Sequence, residues 1–252
     1  MPAPEIAFDA VGVTYPGGTV AVDRVTIDIA AGSFVALVGQ SGSGKSTLLK
    51  TVNRLVAPTT GIVRIDGRAV SDEPAYHLRR RIGYVFQGVG LFPHLSVAQN
   101  IAMPLRLAGI SESGRIGELL DLVELPRGVA DRRPDALSGG QRQRVGVARA
   151  LAAGAKLLLM DEPFGALDPV TRDTLGTRVK ALHGDLGLTT LMVTHDMAEA
   201  LLLANRVLVM QAGRIVADAT PAELLAGGGG DAAQALVDVP RRQMRALEDL
   251  AR

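Results

Sequence analysis

The chain has 252 residues, 47% of them hydrophobic and 21% charged, and is close to neutral, with 27 basic against 26 acidic side chains. That balance argues against a broad nucleic-acid-binding surface, and the lack of any cysteine excludes disulfide and thiol chemistry. No apolar run approaches the roughly 20 residues needed to cross a bilayer, and Met1-Pro-Ala-Pro-Glu5 lacks a signal-peptide pattern, so a soluble cytoplasmic protein is expected.

Residues 5–87 mix short alternating strands with hairpin signals. Val25, Ile27 and Ile29 should share one face, and Asp66-Gly67 marks a tight turn. Tyr15 follows a short apolar segment. Within this region the unbroken apolar run Phe34 to Val38 reads as a buried strand that ends in glycine. It runs into Gly39-Gln40-Ser41-Gly42-Ser43-Gly44-Lys45-Ser46-Thr47. Gly39, Gly42 and Gly44 let the backbone curl so that several N–H groups converge on one concavity, and the helix expected from there adds unsatisfied donors and a partial positive charge. Such a loop suits a polyphosphate, with Lys45 reaching the β- and γ-phosphates and the Ser46 hydroxyl ligating Mg²⁺. The strand Ile82 to Phe86 closes on Gln87. After it, Gly88-Val-Gly-Leu-Phe-Pro-His-Leu95 puts Leu91, Phe92 and Leu95 on a loop, either as a docking surface or folded back inward.

From about Gly88 to Ala153 the pattern turns helical, with an apolar stripe of Ile116, Leu119, Leu120 and Val123. Ser138, Gly139 and Gly140 directly before the helical stretch Gln141 to Leu151 make an anion-binding helix start. Leu157 to Met160 then reads as a second buried parallel strand. Asp161 and Glu162 lie at its carboxyl end, where open α/β sheets bind ligands. After a complete phosphate loop, Asp161 is expected to hold Mg²⁺ through water and Glu162 to orient the attacking water. A helix striped by Leu175, Val179 and Leu182 leads to the strand Thr189 to Val193, which is followed by His195 and an Asp196 helix cap. The next helix runs through Met197, Ala200 and Leu201, and a hairpin pairs Arg206–Met210 with Ile215–Ala219. Thr220-Pro-Ala-Glu223 is a capping box with proline in the first turn. Gly227 to Gly230 reads as a flexible break, and residues 231–252 as a short tail with a weak stripe at Met244, Leu247 and Ala251 that docks on its own core, on a partner or on nothing, the first being favoured. His77, His94 and His183 lack comparable context and are expected at the surface or in loops.

The order of phosphate loop, Leu137-Ser-Gly-Gly-Gln141 and the acidic strand resembles the ATP-binding cassette (ABC) ATPases over about residues 5–225. The resemblance implies a P-loop α/β fold: a RecA-like core, an antiparallel β subdomain and an inserted helical subdomain at about 88–153. Residues 1–226 would form the ATPase domain and 227–252 the appended tail. It implies ATP and Mg²⁺ as ligands and a homodimer in which Ser138, Gly139, Gly140 and Gln141 contact the γ-phosphate of ATP held by the opposing copy. Carried over singly, Tyr15 would stack on adenine, although a core or turn role stays open for it. Gln87 would sense Mg²⁺ and the lytic water, Asp168 in Gly165-Ala-Leu-Asp168 would couple the two sites, and His195 would contact the γ-phosphate. Lys45, Gln87, Glu162 and His195 form the implied catalytic set, and Ser46, Gln87 and Asp161 the metal set.

Thr51-Val-Asn-Arg-Leu55 with Pro58-Thr-Thr-Gly61, and Arg79-Arg-Arg-Ile-Gly-Tyr84 with Val89-Gly-Leu-Phe-Pro-His94, are similar to the ATPases of quaternary-amine (glycine betaine, choline, carnitine) importers. Polar amino-acid importers share several of these segments. This resemblance implies a subunit on the inner face of the cell membrane, bound to integral-membrane permease subunits, served indirectly by a solute-binding protein, and without nucleic acid. The sequence lacks room for the paired CBS domains of many relatives, so regulation through them is not expected. An exporter or lipid-trafficking ATPase, or a soluble ABC ATPase acting on DNA or ribosomes, are the alternative readings. The last usually carries coiled-coil insertions, zinc cysteines or a second cassette, and none is present.

Overall fold

The computed structural model describes residues 3–250. In chain order the first elements are β1 (Ile6–Thr14), β2 (Val20–Ile29), β3 (Phe34–Val38), α1 (Lys45–Val52), β4 (Thr60–Ile65), β5 (Arg68–Ala69), α2 (Ala75–Arg80) and β6 (Ile82–Val85). Helices α3 (Val97–Ala108), α4 (Arg115–Leu122) and α5 (Gly139–Leu151) follow. The core then resumes with β7 (Leu157–Asp161), α6 (Pro169–Leu186), β8 (Thr189–Val193), α7 (Met197–Leu203), β9 (Arg206–Gln211) and β10 (Arg214–Ala219), and closes with α8 (Pro221–Leu225) and α9 (Gly230–Leu250).

Strands β9, β3, β8, β7 and β6 lie side by side in parallel, with β10 added antiparallel at the β9 edge. Their apolar runs are continuous because both faces are covered, and side chains alternate between two cores. In β3, Phe34, Ala36 and Val38 enter the core shared with α3–α7, whereas Val35 and Leu37 enter the one shared with α1 and the second sheet. That second sheet is antiparallel, in the order β2-β1-β4-β5. A bulge with Arg24 at φ 47° re-aims β2, so that Val22 is buried beside Val25 and Ile29, while Ile27 is only half-buried.

Several elements differ in detail from the sequence expectation. Strand β6 ends at Val85, leaving Phe86 exposed and Gln87 in the turn beyond it. Helix α5 begins at Gly139, and on α7 Leu203 rather than Leu201 completes the buried face. Leu91 packs inward while Phe92 is exposed, with the buried Asn100 side chain bonded to both the Phe92 N–H and carbonyl. His77 and His94 are exposed, but His183 is half-buried within α6. Gly227–Gly230 is a defined turn, whose Gly228 carbonyl accepts from Gln234 Nε2, and the tail is one helix of 21 residues. Ala233 and Val237 anchor that helix on the core, while Met244 and Leu247 of the expected stripe are exposed and Ala251 lies outside the described residues.

Candidate functional site

Because β3, β7 and β8 run parallel and adjacent, the loops at their carboxyl ends sit together, and β6 beside β7 brings Gln87 to the same edge. The loop after β3 is shaped by Gly39 and Gly44, at φ 152° and 103°. A Cβ on Gly39 would collide with the Met210 carbonyl, and one on Gly44 with that of Ala21, so the turn needs glycine for space as well as for torsion. The loop delivers Lys45 to the first turn of α1. There its ammonium is buried and donates to the Gly39 and Gln40 carbonyls, both at 2.8 Å. Burial holds the lysine below its usual range, against the pull of the Glu162 and Asp161 charges.

Ser46 Oγ donates to Asp161 Oδ1 at 2.6 Å. Asp161 is almost fully buried, and its Oδ2 is held by Lys50 Nζ at 3.1 Å and by Tyr84 Oη at 3.4 Å. Burial and this carboxylate together push the Tyr84 phenol well above its ordinary range, which keeps it a donor. Lys50 and Tyr84 were not legible as site residues. A lysine one turn along α1 and a tyrosine inside a strand carry no signal until the sheet order puts both beside Asp161. Ser46 Oγ and Asp161 Oδ1 are hard oxygen donors, and among the described residues no group of three or more His, Cys, Asp or Glu forms a metal cluster. This sparse donor set fits Mg²⁺, which is usually held by one or two protein oxygens together with substrate phosphates rather than by an all-protein cage.

Glu162 takes a left-handed backbone conformation, φ 47°, with its N–H bonded to the Val193 carbonyl. Its Oε2 accepts from Gln87 Nε2 at 3.3 Å and lies 3.5 Å from His195 Nδ1. The three expected residues from the ends of β6, β7 and β8 thus converge on one carboxylate oxygen. Tyr15 is exposed, and its hydroxyl shares a 3.1 Å hydrogen bond with Thr47 Oγ1 at the start of α1.

Ser138 and Gln141 form a reciprocal capping box: the Ser138 hydroxyl accepts from the Gln141 N–H at 3.2 Å and the Gln141 amide oxygen accepts from the Ser138 N–H at 3.0 Å. Gly140 lies against Thr171, where a Cβ would clash, so α5 starts beside the first turn of α6. Asp168 caps α6 by accepting from the Thr171 N–H at 3.0 Å, and its carboxyl pKa is lowered first by the Thr171 side chain and then by this backbone bond. Among the described residues, no side-chain hydrogen bond joins Ser138–Gln141 to Lys45, Ser46 or Glu162 of the same chain. The segment after Gln87 is fixed by Arg149, which donates to the Gly90 and Val89 carbonyls at 2.8 and 2.7 Å. This role is invisible in the sequence, because Arg149 sits among the other basic residues of α5.

A phosphate loop, an acidic strand end, a glutamine and a histidine on one parallel sheet, with an antiparallel sheet and a helical layer around it, define a P-loop nucleotide-binding cassette. Residues 22–165 match the model of the ABC transporter family. The chain is 47% identical over 223 residues to the glycine betaine/carnitine/choline transport ATP-binding protein OpuCA of Bacillus subtilis, covering 87% of this chain and 59% of that protein. It is also 47% identical over 211 residues to the sulfate/thiosulfate import ATP-binding protein CysA of Thermosynechococcus vestitus, covering 82% of this chain and 62% of that one. It therefore spans less than two thirds of the length of both relatives. Among solved structures, the dimeric post-hydrolysis ATP-binding cassette MJ0796 bound to ADP and Pi is similar at TM-score 0.79 and 34% identity, covering 86% of this chain and 98% of that one. The chain belongs to the ABC transporter family of ATP-binding cassettes.

Proposed function

We propose that this chain is the ATP-hydrolysing subunit of an importer, that ATP closes it into a homodimer, and that the solute is a quaternary-amine osmoprotectant. The observation that carries the hydrolytic reading is Glu162 Oε2, flanked by Gln87 and His195 at the carboxyl edge of the sheet that also presents Lys45. In this reading Lys45 exchanges its two carbonyl partners for the β- and γ-phosphates, Glu162 orients the attacking water, and His195 contacts the γ-phosphate. Ser46 and Asp161, with Gln87, would hold Mg²⁺, which neutralises charge on the phosphates when bound. Tyr15 would stack on adenine. Residues 138–141 form a capped helix start with no same-chain partner at the phosphate loop, which suits them to ATP on the opposing copy, with Asp168 between the two sites. The dimeric ADP- and Pi-bound relative supports that arrangement.

Permease docking is assigned to the groove between α2, β6, α3 and α5, a cavity of about 390 Å³ lined by Leu55, Tyr76, Phe86, Met103 and Leu107 with Arg79 at its side. Its apolar lining suits an amphipathic helix from a membrane partner. Among the described residues no helix is long and apolar enough to cross a membrane, and in this reading the permease holds the chain peripherally on the inner face. The Bacillus relative, named for glycine betaine, carnitine and choline transport, supports the solute class, and a solute-binding protein upstream of the permease is part of the same proposal. The sulfate relative is equally identical, so the solute is decided by uptake measured directly.

The test is affinity purification of tagged Glu162→Gln protein, with ATP, from detergent-solubilised membranes and from the soluble fraction, followed by mass spectrometry. A stoichiometric integral-membrane partner, together with loss of glycine betaine or choline uptake when the gene is deleted, is expected. Recovery solely as a soluble dimer, or with nucleic acid or ribosomes, would overturn the transport reading.

A further inference from the structure

We propose that Arg172 is a positioning residue that ties the loop ending at Asp168 to the loop carrying His195, so that a second copy engaging the first loop sets the histidine in the second. This inference rests on the ATPase-dimer reading above.

Arg172 lies in the first turn of α6, and its guanidinium faces two loops. Towards the Asp168 side, Nη2 donates to the Leu167 carbonyl at 3.2 Å. Towards the other side, Nη1 lies 3.5 Å from Asp196 Oδ2 and Nε lies 3.6 Å from Glu199 Oε1, both on or at the cap of α7. Glu199 in turn accepts from Thr194 Oγ1 at 2.6 Å through its Oε2, and that hydroxyl accepts from the Asp196 N–H at 3.0 Å. Asp196 Oδ1 caps α7 by accepting from the Ala198 and Glu199 N–H groups. The residues on both sides of His195 are therefore held by one polar network, and Arg172 connects it to α6.

Two details make this more than a helix–helix ion pair. Glu199 is nearly buried, and burial raises its carboxyl pKa, so the Arg172 charge supports an anion that the site otherwise penalises. Arg172 Nε is buried without a hydrogen-bond partner, and separations of 3.5–3.6 Å exceed the roughly 2.7–2.9 Å of a closed charge-assisted bond, which leaves the pair room to tighten if α6 shifts. Coupling between distant contacts needs an element with two arrangements, and in this proposal the long ion pair between two loops is that element, open as seen here and closed when a second copy engages.

The test is epistasis with His195 in the full chain. Turnover, KM and thermal midpoint are measured for Arg172→Ala and, as a volume-conserving second variant, Glu199→Gln, each alone and with His195→Ala, using single-turnover hydrolysis of radiolabelled ATP for the slow forms. Each single variant should lower turnover about tenfold while leaving KM within about twofold. In the His195→Ala background the same substitutions should change turnover by less than about twofold, because their target is gone. Any change in thermal midpoint should be equal in both backgrounds. Equal losses of turnover in both backgrounds, or none in the unmodified one, would overturn the positioning role. If the unmodified chain turned over no ATP, the hydrolytic reading would fail, and this one with it.

Discussion

At the scale of single residues, the site is built on a backbone exception. Glu162 sits at φ 47°, a conformation that side-chain-bearing residues adopt at a cost of order 1–3 kcal/mol and that clusters at functional positions. Its N–H bond to Val193 anchors the turn and leaves the carboxylate between Gln87 and His195. Glu162→Gln keeps the volume and removes the charge proposed to orient water. It should retain ATP binding, lose turnover by at least ~10², and accumulate as an ATP-bound dimer in size-exclusion chromatography, whereas unchanged turnover would remove Glu162 from the reaction. The residues of this site that could be read directly from the chain are those whose meaning comes from adjacency, Gly39 to Thr47, Asp161 with Glu162, and Ser138 to Gln141, whereas Tyr15, Gln87, Asp168 and His195 are expected only through the resemblance to the family. Lys50, Tyr84 and Arg172 could not be, since each acts on a residue of another element and only the strand order brings them together.

At the scale of elements, α6 joins the loop ending at Asp168 to the α7 side of the site. Its beginning is fixed by the Asp168 cap with Pro169 in the first turn, and its end by Gly187 in the left-handed region, all local signals that a sequence displays. Its apolar stripe of Leu175, Val179 and Leu182 is buried as the spacing predicts. His183 was not legible, because a lone histidine on a helix is ordinarily solvated and its neighbours come from other strands. Here its Nδ1 is 2.9 Å from Thr190 Oγ1 and its ring 5.1 Å from that of Phe34. Burial holds the imidazole below its usual 6.5, outweighing the Gly32 backbone contact that acts in the opposite sense. The unfolded chain takes up a proton near 6.5 while the folded one resists it. The contribution is therefore fully present above pH 6.5 and is lost as pH falls from there through the lower folded-state value. Thermal midpoints between pH 7.5 and 5.5 should fall more steeply for the unmodified chain than for His183→Gln, and parallel slopes would show that this histidine titrates as if exposed.

At the scale of the whole molecule, α9 determines how the chain closes on its own active-site half. Its first turns pass beside the outer wall of the phosphate loop, where Ala232, Ala235 and Leu236 share a cavity lining with Gly39 to Ser43 and with β9. On its other face α9 packs on the core through small side chains: Ala233 and Val237 are fully buried, and Gln234 Nε2 donates to the Leu224 carbonyl at 2.9 Å. Beyond Arg241, which bonds to the Leu225 carbonyl, the helix leaves the body, and Met244, Leu247 and Leu250 are exposed. This explains why the stripe apparent in the sequence marks the undocked half: large apolar residues at helical spacing dominate any reading of periodicity, whereas an alanine and a valine one turn apart do not. The two halves should then respond oppositely to change. Among the described residues, truncation after Arg242 removes no buried side chain, and it should leave the thermal midpoint and ATPase turnover unchanged. Val237→Asp would bury an unpaired carboxylate against the core and should cost about 2–4 kcal/mol in a urea titration. Because α9 adjoins the phosphate loop, the same substitution should also weaken ATP binding at temperatures where the rest of the chain is still folded. Equal destabilisation by the truncation and by Val237→Asp would mean that the outer half of α9 folds back onto the body in solution.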